Sequence, residues 1–159
     1  MYEIRISLSE QKLDLFFLSE QIVSYAVSTA LKGAGEKKNS EQTPRGRHYI
    51  RAKIGAGLPL NAVLKARRFT GEIYSPVLQT AFPHRDWILT RILWLSGLEK
   101  GKNRLGDCDT MQRYIYIHGT PEAEPMGVAL SHGCIRMRNE NIVELFDKVP
   151  VGAIVNIAK

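Results

Sequence analysis

Residues Ala129–Asn139 read ALSHGCIRMRN, which sets a serine, a histidine, a glycine and a cysteine side by side. A cysteine attacks a carbonyl as the thiolate, and a free thiol titrates near ~8.5, so Cys134 as a nucleophile needs a base within reach. It also needs donors aimed at the oxyanion that forms on attack. Backbone N–H groups around Gly133 and Cys134 can converge there, because glycine permits the close approach and the dihedrals such a turn requires. Two histidines could be the base. His132 stands two residues before Cys134, and residues two apart in extended chain share a face. His118 stands sixteen residues before it, at the end of RYIYIH. A strand end followed by GTP presents its side chain at the rim of a sheet, where sites form. Spacing alone does not choose between the two.

Other readings compete. A lone cysteine is most often a small buried hydrophobe. The residues alone leave this reading and the nucleophile reading open. Cysteine and histidine also bind zinc, and His118, His132, Cys134 and Cys108 are the available set. His-x-Cys is not a usual structural pair, however, and no second closely spaced pair completes four ligands. No metal and no cofactor are expected. Cys108, in GDCDT, reads as an unreactive loop thiol.

The elements that must position these residues read mostly as strands. Tyr2, Ile4, Ile6 and Leu8 alternate with polar residues, as do Leu13, Leu15 and Phe17, then Val23, Tyr25 and Val27. Short turns between them predict an antiparallel meander. Residues 32–46 are a polar, glycine-rich loop, followed by a strand at about Arg47–Lys53. LNAVLKARRF has some helical period, and one or two short helices are expected between Gly55 and Pro83. Asp86–Leu95 reads as a strand, with Trp87 and Trp94 in the core and Arg91 facing outward rather than into a pocket. Arg113 has the same reading. Arg113–His118 is apolar almost throughout, which places it centrally in the sheet. Asn139 is the expected N-cap of a helix whose apolar face is Ile142, Val143, Leu145 and Phe146. Lys148, Pro150 and Gly152 end it, and AIVNI supplies a closing strand.

The chain has 159 residues, enough for one domain over 1–159 with its own core. Hydrophobic and charged fractions are those of an ordinary globular protein, which excludes disordered and collagen-like classes. The net charge of +6 favours acidic partners. Lys37-Lys38 and Lys65–Arg68 are its densest patches. Neither carries the interleaved aromatics of a single-strand platform, so no nucleic-acid partner is expected. No apolar run approaches the ~18 residues of a membrane span, and no membrane insertion is expected. MYEIRISLSE lacks the features of a signal peptide, which points to the cytoplasm, or to the periplasm or wall if a leader was removed.

YIHGTP, a spacer of twelve residues after His118, and SHGCIRM together resemble the signature of the L,D-transpeptidase catalytic domain, the YkuD family. QTPRG (Gln42–Gly46) resembles the family's upstream Thr-Pro-x-Gly element, and NIVELFDKVPVGAIVNI its closing helix and strand. Gly55–Pro83 and the GLEKGKNRLGDCD loop match no family motif. The resemblance implies a mainly β fold: an L,D-transpeptidase-like β-sandwich of mixed sheets with one C-terminal helix and short helices in the middle loops. It implies Cys134 as nucleophile and His118 as base, oriented by the Gly119 carbonyl. The N–H groups of His132, Gly133 and Cys134 would form the oxyanion hole, with Ser131 shaping the turn. Arg136 would hold a substrate carboxylate, since guanidinium pairs bidentately with carboxylates.

The implied partner is a muropeptide or peptidoglycan stem peptide. The implied reaction is thioester formation at the L,D bond before its terminal D-alanine, with a cysteine that carbapenems acylate. Water resolving the thioester makes a carboxypeptidase, and an amine makes a cross-linking transpeptidase. The cytoplasmic setting favours the carboxypeptidase, acting in murein recycling. From another class, a non-catalytic wall- or nucleic-acid-binding module remains, against which the intact His118 and Cys134 weigh.

Overall fold

A computed structural model describes every residue, Met1–Lys159. Ile4, Ile6, Leu13 and Leu15 are fully buried while their neighbours face out, and this alternation builds the first three strands. These are β1 (Tyr2–Ser7), β2 (Lys12–Phe17) and β3 (Glu20–Ala26), an antiparallel meander as the sequence predicts. On the other edge of β1 lies β10 (Ile154–Ala158), parallel to it. Beyond β10 come β4 (Gly46–Ile54) and the long β7 (Ile88–Gly97), both antiparallel to their neighbours.

β7 is the junction of the molecule. One edge carries β4 and then β5 (Ala62–Lys65), which pairs in turn with β6 (Arg68–Ile73). The other edge carries β8 (Tyr116–Gly119), and β9 (Ile135–Met137) runs parallel to β8. The chain after β3 then crosses to β9, where Ser28 and Arg136 exchange both backbone hydrogen bonds at 3.0 and 2.9 Å. That bridge closes the circuit and gives two β layers over one core. Ile117, Ile135 and Met137 from the β8–β9 side meet Leu13, Leu15 and Leu93 inside it, together with Ile142, Leu145 and Phe146 of α2 (Asn139–Lys148). The fold is therefore mainly β with mixed pairing and one C-terminal helix, and RYIYIH does end in an interior strand.

Several local expectations change. Residues 62–73 form a hairpin, not a helix. Val63 and Leu64 pair with Leu89 and Ile88 of β7, and the two-residue turn Ala66-Arg67 has φ of 48° and 62°, the left-handed pair that matches strand twist. The short helix falls later, at α1 (Pro76–Ala81), where Ser75 Oγ accepts the Leu78 N–H and Pro76 opens the first turn. A single 3₁₀ turn spans Gly106–Cys108.

The last inner strand begins at Tyr116 rather than Arg113, because Tyr114 takes φ of 55° and bends the chain. Arg91 does not face outward. It is 7% exposed, its guanidinium donates to the carbonyls of Leu58 and Thr90, and it lies over the Phe146 ring. Asn139 is the first residue of α2 and not its cap, a position held by Arg138. Its side chain is used elsewhere: Oδ1 accepts from Thr90 Oγ1 at 2.7 Å, and Nδ2 donates to Asn61 Oδ1 at 2.9 Å. This ties α2 to β7 and to the approach of β5.

The loop between β7 and β8 is pinned to β4 by His48, which is fully buried. Its Nδ1 lies 3.0 Å from the Gly46 carbonyl and its Nε2 2.9 Å from Thr110 Oγ1. The carbonyl requires a proton on Nδ1, which leaves Nε2 to accept from the threonine. Burial pushes the imidazole down to about 4. Unfolded, the same group takes up its proton near ~6.5, so stability is retained above that pH and lost as pH falls from there toward 4. The wild-type protein is expected to lose about 3 kcal/mol more over this window than His48→Gln, which cannot titrate. Denaturant midpoints of both proteins at pH 7, 5.5 and 4 measure the difference.

Candidate active site

β8 and β9 run parallel with Ile117 opposite Ile135 and His118 opposite Arg136. Side chains alternate along a strand, so the isoleucines enter the core and the intervening residues face the other way. Tyr116, His118, Cys134 and Arg136 accordingly line one cleft of about 510 Å³, joined by Ser131, His132, Asp86, Arg67 and Arg113. Two segments sixteen residues apart are thus made neighbours by one strand pairing.

The turn carrying Cys134 is held from both sides. Ser131 Oγ donates to the Cys134 carbonyl at 2.6 Å and accepts the Gly133 N–H at 3.2 Å. Thr43 Oγ1 donates to the Gly133 carbonyl at 2.9 Å and accepts the Ala30 N–H at 3.0 Å. Gly133 has φ of 131°, and a Cβ there would press on the Gln42 carbonyl and Ile115 at 3.3 Å. Of the three N–H groups expected to face an oxyanion, that of Gly133 is thus already bonded to Ser131. Those of His132 and Cys134 have no acceptor within the chain.

Cys134 Sγ accepts the Tyr116 N–H at 3.3 Å and donates toward the Tyr114 carbonyl at 3.4 Å. Burial pushes the thiol up to about 12, against the pull of the Tyr116 N–H and the more distant Arg136 and Arg113. His118 is 1% exposed, and its Nδ1 lies 2.6 Å from the Gly119 carbonyl. A carbonyl only accepts, so Nδ1 carries the proton and Nε2 keeps its lone pair. Burial lowers the His118 pKa, opposed in part by this bond and by Asp86. At neutral pH the pair rests as thiol and imidazole. Gly119 admits no side chain: a Cβ would lie 2.3 Å from Asn139 Oδ1 and 2.6 Å from the Leu89 carbonyl.

His132 is exposed at the cleft, with Nδ1 3.8 Å from Asp86 Oδ2. Arg136 lies in the cleft, but its guanidinium already faces two carboxylates, Asp86 at 3.3 Å and Glu124 at 3.6 Å. Arg113 does not face outward. It is half-buried and holds the loop before β4 by donating to the Gly35 and Gln42 carbonyls and to Ser40 Oγ. Cys108 sits apart, buried in its loop with Sγ donating to the Leu105 carbonyl, so the four residues weighed as zinc ligands do not meet. Three residues of the cleft escaped the sequence reading in this role: Asp86, Tyr116 and Arg67. Nothing in their local sequence marks them. Thr43 did carry a signal, the QTPRG element.

The family model of the L,D-transpeptidase catalytic domain, YkuD, matches residues 1–157. The chain belongs to this family. The probable L,D-transpeptidase YbiS of Escherichia coli K12 is 55% identical over 40 residues, which are 25% of this chain and 13% of that protein. L,D-transpeptidase 3 of Mycobacterium tuberculosis, solved with a faropenem-derived adduct, superposes with a TM-score of 0.61 at 14% identity over 99% of this chain and 60% of its own. The L,D-transpeptidase LdtMt1, solved in complex with imipenem, gives 0.59 at 18% identity over 99% and 58%. The chain thus spans under two thirds of the length of these solved relatives, and the YbiS match is shorter still.

A resting thiol predicts a specific pH profile. Alkylation of Cys134 by iodoacetamide, followed by intact mass, is expected to rise close to ~10-fold per pH unit from pH 7 to 9.5, as the thiolate fraction does below its pKa. A rate already level at pH 7 would mean a preformed thiolate–imidazolium pair.

Proposed function

We propose that this domain is a cysteine acyltransferase acting on peptidoglycan stem peptides, and foremost an L,D-carboxypeptidase. The observation that carries the reading is the His118–Gly119 hydrogen bond, which leaves Nε2 unprotonated in the cleft that Cys134 lines. In the proposed sequence, Nε2 takes the Cys134 proton as sulfur attacks the carbonyl on the L-centre side of the L,D bond. The N–H groups of Cys134 and His132 stabilise the oxyanion. His118 returns the proton to the departing D-alanine amine, leaving a thioester on Cys134. Proton transfer concerted with attack removes the need for a standing thiolate. Ser131 and Thr43 keep the turn in place through all steps.

Water as the acceptor is supported by the partial exposure of Cys134 and the exposure of its neighbour His132. The +6 charge suits soluble muropeptides with several carboxylates, and the cytoplasm is the compartment we propose for them. The second reading, cross-linking, is favoured by Asp86 and Glu124, whose carboxylates would attract an incoming amine.

Incubation with a disaccharide tetrapeptide is expected to yield the tripeptide and free D-alanine by mass spectrometry. Cys134→Ala is expected to lose at least ~10³-fold in rate, as removal of a covalent nucleophile does. Dimeric products with little tripeptide would replace the carboxypeptidase reading with the transpeptidase. Imipenem is expected to add its mass to the wild type and not to Cys134→Ala. Absence of both turnover and adduct would support a non-catalytic module.

A further inference from the structure

The cleft holds three arginines, and they are not equivalent. Arg136 is already paired with two carboxylates. Arg113 is committed to two carbonyls and a serine hydroxyl. Arg67 has no carboxylate within ion-pair distance anywhere in the chain, although it lines the cleft. Its Nη1 donates to Tyr116 Oη at 3.0 Å. Its guanidinium stands over the rings of Trp94 at 4.9 Å and Tyr114 at 4.6 Å. The side chain is therefore held in one place with its charge uncompensated and its other N–H groups free. Such a guanidinium binds a carboxylate with little ordering cost.

The backbone points the same way. Arg67 is the second residue of the β5–β6 turn, and both turn residues lie in the left-handed region. That turn favours Asn-Gly or Gly-Gly, and a side chain there costs roughly 1 kcal/mol. Ala66 and Arg67 occupy it instead. The strain coincides with the one residue that carries free positive charge into the cleft. In the adjoining hollow, which Arg67 does not line, the arginines are compensated: Arg136 by Asp86 and Glu124, and Arg85 by Glu72.

We infer that Arg67, presented by the β5–β6 hairpin and steadied by Tyr116, Tyr114 and Trp94, binds a carboxylate of the acyl-donor peptide. This rests on the proposed reading of Cys134 as an acyltransferase for stem peptides. It transfers to Arg67 the duty that the family resemblance implied for Arg136. The carboxylate could be one upstream of the scissile bond or the terminal one of the leaving D-amino acid, and the test separates them.

Three tetrapeptides serve as substrates: the free acid, one with its upstream carboxylates amidated, and one with its C-terminus amidated. Wild-type kcat/KM is expected to fall roughly 10- to 100-fold on amidation at the position Arg67 reads, through KM, as for loss of a charged hydrogen bond. In Arg67→Gly that penalty is expected to shrink to near one. Glycine suits the turn, so Tm is expected to hold or rise, which separates binding from folding. Arg67→Lys, with charge but no fork, is expected to fall between. An amidation penalty unchanged in Arg67→Gly at both positions overturns the assignment to Arg67 while leaving the acyltransferase reading intact. No turnover of any substrate by the wild type overturns that reading and this inference together.

Discussion

The bond from His118 Nδ1 to the Gly119 carbonyl fixes which nitrogen of the ring can act. An acidic partner in the same place would favour imidazolium. A carbonyl orients the ring without adding negative charge, and full burial keeps it neutral. Several other features exist to protect that bond. The Gly119 Cα must pass close to Asn139 and the Leu89 carbonyl, so residue 119 has no room for a side chain. Asn139 is occupied in turn by Thr90 and Asn61, which ties the start of α2 to the strand behind the histidine. One short contact thus draws on β7, β8, α2 and the approach to β5.

Charge in the cleft is arranged rather than merely abundant. The net +6 of the chain does not reach the site as a uniform field. Two carboxylates neutralise Arg136, carbonyls occupy Arg113, and aromatic rings hold Arg67. What reaches a ligand is one uncompensated guanidinium set against aromatic rings, beside ion pairs whose charges cancel.

Much of this was legible in the residues. Alternation at Ile4, Ile6, Leu13 and Leu15 gave the meander, because burial on one face writes a period of two into the chain. His118, Gly119, Ser131 and Cys134 stood out because they cluster in short runs; the structure brings His118, Ser131 and Cys134 to one cleft and puts the Gly119 carbonyl against the histidine ring. The hairpin at 62–73 was hidden because its turn uses alanine and arginine where glycine or asparagine would have signalled it. Arg91 and Asn139 misled for a common reason. Each is polar in a position where local rules expect solvent or a cap, and each is instead buried against partners far along the chain. Asp86 and Arg67 were invisible as site residues because only the tertiary fold places them beside Cys134.

The order of the strands has a further meaning. β10 follows every other element in sequence, yet it lies inside the sheet, between β1 and β4. β9, whose leading residue follows Cys134, is held on its far edge by the segment that continues the N-terminal meander. The sheet that carries Cys134 and His118 is therefore joined to the N-terminal meander by two links, residues 154–158 on one side and the Ser28–Arg136 bridge on the other. Loss of either link would leave β8 and β9 attached to the rest of the sheet along one path alone.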